Sequence, residues 1–201
     1  MRLGSGQMSI TVKQPEDPWQ RTTTAGGFAA DEVISALQKS IRRALVDNAL
    51  LLAWEMFRTS PEMEEKLWSR LCVIAVEDIG LGTPEAPVLV ETLYQQHKRY
   101  DRPTGDRFLF AAHAVRVLAR SEKDRTSDDM VNWAIRGTQL GELSPEIIDV
   151  AKDMHTLAGQ ERGRDYRFFM EEASKVTPEI SGKDQKYRDW IMAALDSGKL
   201  V

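Results

Sequence analysis

Apolar residues recur every three or four positions along most of this chain, and this spacing constrains its fold more than any other feature. The pattern begins near Asp31 and continues through successive stretches that short polar segments separate. Such a period is typical of an amphipathic α-helix, because the apolar residues then share one face. Three stretches open with a hydroxyl residue, a proline and a glutamate, which is a typical helix start. These starts are Ser60-Pro61-Glu62, Thr83-Pro84-Glu85 and Ser144-Pro145-Glu146.

No stretch alternates apolar and polar residues between hairpin turns, and no repeat of fixed length is present. The sequence therefore predicts an all-α fold, a compact bundle of about eight or nine helices. We expect one helical domain over residues 31–201, since the connections between stretches are short. Residues 1–30 are predicted to be a flexible tail, because prolines, threonines and glycines interrupt any period there. The Gly-Ser-Gly near its start resembles an expression scar over residues 1–7.

The composition fits a globular protein and argues against several classes of function. Of 201 residues, 42% are hydrophobic and 29% are charged, and 31 acids against 27 bases give a net charge of -4. This balance argues against a broadly basic nucleic-acid binder. A single cysteine, Cys72, excludes an internal disulfide framework and a zinc cluster of cysteines. No apolar run is long enough to span a membrane, so we expect a cytoplasmic protein with no membrane partner.

Motifs of the common catalytic sites are missing from the sequence. It has no phosphate-binding GxxxxGK[ST] loop, no dinucleotide-binding glycine fingerprint and no HExxH metal motif. The three histidines, His97, His113 and His155, are far apart along the chain. Cys72 lies in an apolar stretch, which favours a packing role over a nucleophilic one. We therefore expect a protein that is not an enzyme and that uses no cofactor or metal.

Two acids, Glu77 and Asp78, close a helical stretch that is otherwise apolar, although acids at a helix C-terminus oppose the macrodipole. Asp78 also shares a face with the apolar stripe before it, so its carboxylate points at the core and needs donors. That stripe consists of Leu67, Leu71 and Ile74. The candidate donors are Arg42, Arg43, Arg70 and the N–H groups of a neighbouring helix start. Two interpretations stay open, a structural staple at a sharp turn and a contact to a ligand or subunit.

Basic side chains gather in two segments of the chain. Lys39, Arg42 and Arg43 form a basic edge opposite an apolar stripe. Residues 98–136 contain nine lysines and arginines against six acids, a local net charge of +3. A DNA backbone would be attracted to such a surface, but an ordinary solvated face has the same composition. Both interpretations stay open.

A third group of functional side chains lies near the C-terminal end, where Asp153, His155, Arg162 and Arg164 flank a predicted joint between helices. The arginine fork suits a phosphate or a carboxylate, and a histidine beside an acid can titrate near neutral pH. The group could thus form an anion or nucleotide pocket, or an acid/base pair. Alternatively, His155 only caps a helix, and the arginines pair with Glu161 or Asp165.

The segments around Lys39 and Asp78 also resemble two motifs of a known family, the replication-associated recombination AAA+ ATPases of the RarA/MgsA type. In that family an ISALxKSxR stretch precedes a helix pair, and a RLxxxASEDIGLADP stretch follows at a similar spacing. Here the corresponding segments read ISALQKSIR, from Ile34 to Arg42, and RLCVIAVEDIGLGTP, from Arg70 to Pro84. The resemblance covers about residues 31–120. It implies the family's C-terminal helical region, which is similar to a clamp-loader collar and assembles subunits, typically as a tetramer, at stalled replication forks.

The departures from the family limit what the resemblance implies. The ATPase module with its Walker motifs is missing, residues 43–49 replace a family turn, and the family's tyrosine- and proline-rich ending is not found. We therefore expect a non-catalytic oligomerisation module, a tetramer or dimer, whose partners are an AAA+ ATPase or replication proteins. The alternatives are a DNA-binding accessory domain and a small enzyme or nucleotide sensor. The candidate binding residues are Lys39, Arg42, Glu77, Asp78, Asp153, His155, Arg162 and Arg164.

Overall fold

The computed structural model describes residues 9–12 and 16–200. Within these ranges the chain forms nine α-helices and no β-strand, so the predicted all-α fold is confirmed. One isolated antiparallel bridge joins Thr23 and Ala29. In the same ranges no helix is both long and apolar enough to cross a bilayer. The expression scar predicted for residues 1–7 lies outside the described residues.

The helices are named in chain order. They are α1 (Ala30–Arg42), α2 (Val46–Thr59), α3 (Pro61–Ile74), α4 (Ala86–His97), α5 (Gly105–Arg120), α6 (Thr126–Gln139), α7 (Leu157–Glu161), α8 (Tyr166–Phe168) and α9 (Lys186–Asp196). They fall into two compact units, the first ending at Leu143 and the second beginning at Ser144. The single domain expected over residues 31–201 stays a prediction.

Helices α1 to α5 enclose the core of the first unit. The apolar stripe predicted on α3 is fully buried there, and so are Leu37 and Ile41 of α1 and Leu118 of α5. Each large aliphatic side chain removed from water in this way contributes about 1.5–3 kcal/mol to stability. The core of this unit therefore lies on the faces that the helical spacing predicted.

A short segment before α1 lies against the helices of the first unit. It contains a 3-10 turn, Pro18–Arg21, whose Trp19 packs against the core. The Gly26 N–H donates a hydrogen bond of 2.6 Å to the carboxylate of Glu55, a buried residue of α2. The described part of the predicted tail thus contacts α2. The flexibility predicted for residues 1–30 stays a prediction.

The three segments with a hydroxyl residue, a proline and a glutamate were predicted to begin helices, and the structure treats them differently. Helix α3 begins as predicted, with Pro61 as its first residue and the Ser60 hydroxyl accepting from the Met63 N–H at 3.1 Å. Helix α4 begins at Ala86, whose N–H donates to the Thr83 carbonyl at 3.0 Å. A turn therefore separates the predicted cap from this helix.

The prediction of a helix that begins at Ser144-Pro145-Glu146 is wrong. The chain there forms only a 3-10 turn, Asp149–Ala151. Ile147 and Ile148 are exposed, so the apolar spacing has no core to pack against. Most helical stability in proteins comes from packing of an apolar face against other elements. The helical spacing therefore did not suffice to form a helix here.

The second unit is built from short elements. Helix α8 continues into a π-helical turn, Phe169–Ala173, and α9 follows after an irregular connection. Its buried side chains include Met170, Ala194 and Leu195. The Arg188 guanidinium of α9 donates to the Met170 carbonyl, which ties α9 to the π-helical turn.

Candidate functional site

The end of α3 carries the two acids that the sequence singled out. After Ile74 the backbone widens into a π-helical turn, Ala75–Ile79, which contains Glu77 and Asp78. Such turns inside or at the end of α-helices frequently occur at functional sites. The turn ends at Gly80, which has a φ of +50° and a backbone so close to Asp124 that a Cβ atom would collide with its carbonyl oxygen. Both the positive φ and the close approach require glycine at this position.

Asp78 is fully buried, as its place on the apolar stripe predicted. Its carboxylate accepts hydrogen bonds from Gln38 Nε2 at 2.9 Å, from Arg42 Nε at 2.5 Å and from Arg125 Nη1 at 2.7 Å. Three donors from two distant segments thus compensate the cost of removing this charge from water.

Glu77 completes the same cluster, and we call these four side chains, Arg42, Glu77, Asp78 and Arg125, the charged joint. Glu77 accepts from Arg42 Nη2 at 3.1 Å and from Arg125 Nη1 at 3.0 Å. Each arginine therefore bridges both acids. Hydrogen bonds to Glu77 and Asp78 raise the pKa of Arg125 above its usual value, so this guanidinium stays charged.

The charged joint also connects the two motifs on which the family resemblance depends. Arg42 belongs to ISALQKSIR, and its partners belong to the EDIGL segment. Of the other donors proposed for Asp78, Arg70 donates to the Gln38 side chain at 3.3 Å and so reaches it only through Gln38. Arg43 instead donates to the Lys39 carbonyl at 3.3 Å.

Sequence reasoning missed Arg125, which lies in a segment without a motif. It immediately precedes α6 and also donates to Asp128 in the first turn of that helix. The neighbouring Asp124 N–H donates to the Asp78 carbonyl at 3.1 Å, and the Asp124 carboxylate accepts from the Leu81 N–H at 3.2 Å. The charged joint therefore fixes where α6 begins relative to α3.

Helix α6 presents an unusual surface for a helix of a folded unit. Only Gly137 among its residues is buried. Its large apolar side chains are exposed, including Trp133 at 64%, and the others are Met130, Val131 and Ile135. Contiguous exposed apolar side chains of this kind mark interaction sites on protein surfaces. The charged joint thus positions a helix whose apolar face is exposed to solvent.

The basic segments are partly engaged inside the first unit. Arg102 and Arg107 both pair with Glu64, and Lys123 Nζ donates to the last carbonyls of α5. Lys39 donates to the Ser35 hydroxyl of its own helix. These bases are therefore less available to a DNA backbone than the sequence suggested.

The third predicted cluster separates into two groups of contacts in the second unit. His155 Nδ1 lies 3.2 Å from the Asp153 carboxylate, and hydrogen bonds from the His155 N–H and side chain lower the pKa of Asp153. Arg162 Nη1 donates to Asp149 at 2.7 Å, and Arg164 pairs with the same carboxylate. No hydrogen bond between described residues joins the two groups. The arginines pair with Asp149 rather than with Glu161 or Asp165, the partners considered above.

Sequence reasoning also missed a second buried charge cluster around Glu64 of α3. Glu64 is buried and accepts from Arg107 Nε at 2.8 Å and from Arg102. Arg107 Nη2 lies 3.3 Å from Nε2 of the fully buried His97, and burial lowers the pKa of this imidazole. The signal was available, because Glu64 shares a helical face with the core residues Trp68 and Leu71.

The single cysteine is packed, and the possible metal ligands of the described residues do not cluster. Over residues 9–12 and 16–200, no group of three or more His, Cys, Asp or Glu side chains could hold a metal ion. Cys72 packs against the core of the first unit, and burial raises the pKa of its thiol. A raised thiol pKa disfavours the reactive thiolate.

The fold and the charged joint define a class, all-α proteins in which paired arginines and acids join two sequence motifs and position an exposed helix. Comparison with curated proteins identifies a relative of this chain by sequence. Over 168 residues the chain is 30% identical to Replication-associated recombination protein A of Bacillus subtilis, a match that covers 81% of this chain and 39% of that protein. The resemblance to the RarA-type family is therefore confirmed. No protein-family model matches the chain.

Proposed function

We propose that this chain is a non-catalytic helical module that self-associates through α6 and serves a complex acting in replication-associated recombination. The observation that carries this proposal is the exposed apolar face of α6, held in place by the charged joint. Burial of such a face between copies supplies the hydrophobic driving force for association.

The place in replication and recombination rests on the relative. The chain spans 39% of the length of Replication-associated recombination protein A, so the proposed role concerns only part of what that whole protein does. A helical module of this kind would serve an AAA+ ATPase or other replication proteins as the assembling part. In the second unit Arg162 and Arg164 pair with Asp149, which leaves them less available to an anionic ligand.

Sedimentation velocity on the whole chain tests the self-association. We expect the sedimentation coefficient to rise with protein concentration, and Trp133→Gln to return it to the value of a single copy. The matched control is Trp190→Gln on α9, because Trp190 is 70% exposed and Trp133 is 64% exposed. A strictly monomeric wild-type chain at high concentration would contradict the proposal.

A second candidate function, binding of a DNA backbone, is favoured by the basic face of α5. Arg116 and Arg120 lie one turn apart, and neither forms an ion pair within the described part of the chain. His113 lies on the same face. Contacts of these cations with phosphates would release counterions, so binding should weaken steeply with salt.

Fluorescence anisotropy with labelled forked DNA tests this second candidate. The double variant Arg116→Gln/Arg120→Gln should lose most binding at low salt. A control of equal charge change, Lys186→Gln/Lys199→Gln, should bind like the wild type, since both lysines are exposed and lie in the second unit. Failure of the wild type to retain DNA at low salt would remove this candidate.

A further inference from the structure

A second uncovered apolar surface lies in the first unit, in a groove between α1 and α2. The groove has a volume of about 490 Å³ and is lined largely by apolar side chains. Leu51 is 66% exposed on its wall, and Phe28 and Trp54 are exposed beside it. A groove of this shape and polarity is typical of sites that receive one face of an amphipathic helix.

Helix α6 has the pattern that such a groove receives. Met130, Trp133 and Ala134 stand at positions i, i+3 and i+4, the spacing of anchors in helix-in-groove recognition. All three are exposed. A large aromatic side chain such as Trp133 commonly carries much of the energy of an interface.

The charges at the edges of the two surfaces are complementary. On the rim of the groove, Arg58 is paired with Glu55, whereas Glu32 forms no ion pair with any described residue. On α6, Arg136 stands three residues after Trp133. Among the described residues its guanidinium donates only to the Gln139 side chain, at 2.9 Å. Seating Trp133 in the groove would bring a free base to a rim with a free acid, which favours this register.

The two surfaces belong to the same unit, and both are exposed in it, so α6 does not fill the groove of its own copy. We propose that α6 of one copy inserts its apolar face into the α1–α2 groove of a second copy, so that copies join head to tail. This inference rests on the proposed function and specifies the surface that receives α6. One such contact covers both apolar surfaces, whereas pairing of α6 with α6 would leave the groove uncovered. Head-to-tail contacts close into rings when the rotation between copies permits it.

Two single variants and their mixture test the inference. Trp133→Glu removes the inserting face but leaves the groove, and Leu51→Glu removes the groove but leaves α6. Both positions are exposed, so neither change should prevent folding, which circular dichroism checks. Each variant alone should self-associate about tenfold or more weakly than the wild type.

An equimolar mixture of the two variants should form a complex of two chains and nothing larger, measured by sedimentation velocity. In that mixture the intact α6 of the Leu51→Glu chain can still insert into the intact groove of the Trp133→Glu chain. The reverse contact would place the two introduced glutamates against each other. Absence of the two-chain complex would overturn the head-to-tail contact, as would full self-association of Leu51→Glu alone. These results differ from a monomeric wild type, which would overturn the proposed function itself.

Exchange of the rim charges gives a second readout. Glu32→Arg alone and Arg136→Glu alone should each weaken self-association, and the double variant should restore it. Restoration identifies Glu32 and Arg136 as neighbours across the contact, because surface charges far apart contribute independently. Purely additive losses in the double variant would contradict the proposed register.

Discussion

Arg42 Nε donates to the buried carboxylate of Asp78 at 2.5 Å, across 36 residues of sequence. This ion pair joins the C-terminal end of α1 to the π-helical turn after α3. Because Arg125 pairs with the same carboxylate, the contact also determines where α6 starts. The two family motifs therefore meet at one buried charge, which supports the exposed helix on which the proposed function depends.

Loss of this buried pair should destabilise the first unit strongly. Asp78→Ala leaves two guanidinium groups without their buried acceptor, and we expect it to lower the free energy of unfolding by about 3–5 kcal/mol. Urea denaturation followed by circular dichroism measures the change. The control Asp129→Ala, at an exposed position of α6, should stay within about 0.5 kcal/mol of the wild type. Equal losses in both variants would show that burial of Asp78 contributes nothing.

The turn after the π-helical segment should be intolerant of a side chain. Gly80→Ala combines a φ of +50° with a collision against the Asp124 carbonyl. The control Gly141→Ala has a φ of +72° but open space around its Cβ position, so it isolates the conformational cost of about 1–2 kcal/mol. We expect Gly80→Ala to be less stable than this control in the same denaturation experiment. Indistinguishable stabilities would mean that the backbone of Asp124 does not approach Gly80 closely.

Stability should depend on pH through His97. Burial lowers the pKa of this histidine in the folded state, so the unfolded state binds more protons at mildly acidic pH. The free energy of unfolding should therefore fall as the pH falls below about 6.5, the usual histidine pKa, by at most about 1.4 kcal/mol per pH unit. Charged groups facing the imidazole are Glu64 and Glu65 of α3 and Arg107 of α5.

Denaturation midpoints between pH 5 and pH 7.5 measure this dependence. His97→Gln should flatten the curve in that window, because the titrating group is then gone. His113→Gln, at an exposed position of α5, should leave the curve unchanged. A slope that persists in His97→Gln would assign the dependence to another group.

Much of the first unit could be predicted from local spacing. Asp78 lies four residues after Ile74 and seven after Leu71, two core positions of the same helical face, which predicts its carboxylate in the core. The structure buries it there. The same reasoning applied to Glu64 would have found the second charge cluster. Helical spacing reports which face of a helix is covered, so it predicts burial well.

The partners of the buried charges were harder to predict. Arg125 pairs with Asp78 across 47 residues, and no local pattern marks a contact of that kind. Asp149 was missed as the acceptor of Arg162 and Arg164 for the same reason. The helix predicted at Ser144-Pro145-Glu146 did not form, although its local start signal was present. A start signal alone does not stabilise a helix, because most helical stability comes from packing against other elements.

Hydrogen exchange along α6 at low and high protein concentration tests the central claim most directly. If α6 mediates self-association, its amide hydrogens should exchange more slowly as the concentration rises, while the buried core of α3 keeps the same protection at both concentrations. Exchange along α6 that is independent of concentration, in a sample that sedimentation shows to be associated, would contradict the assignment of α6 as the contact.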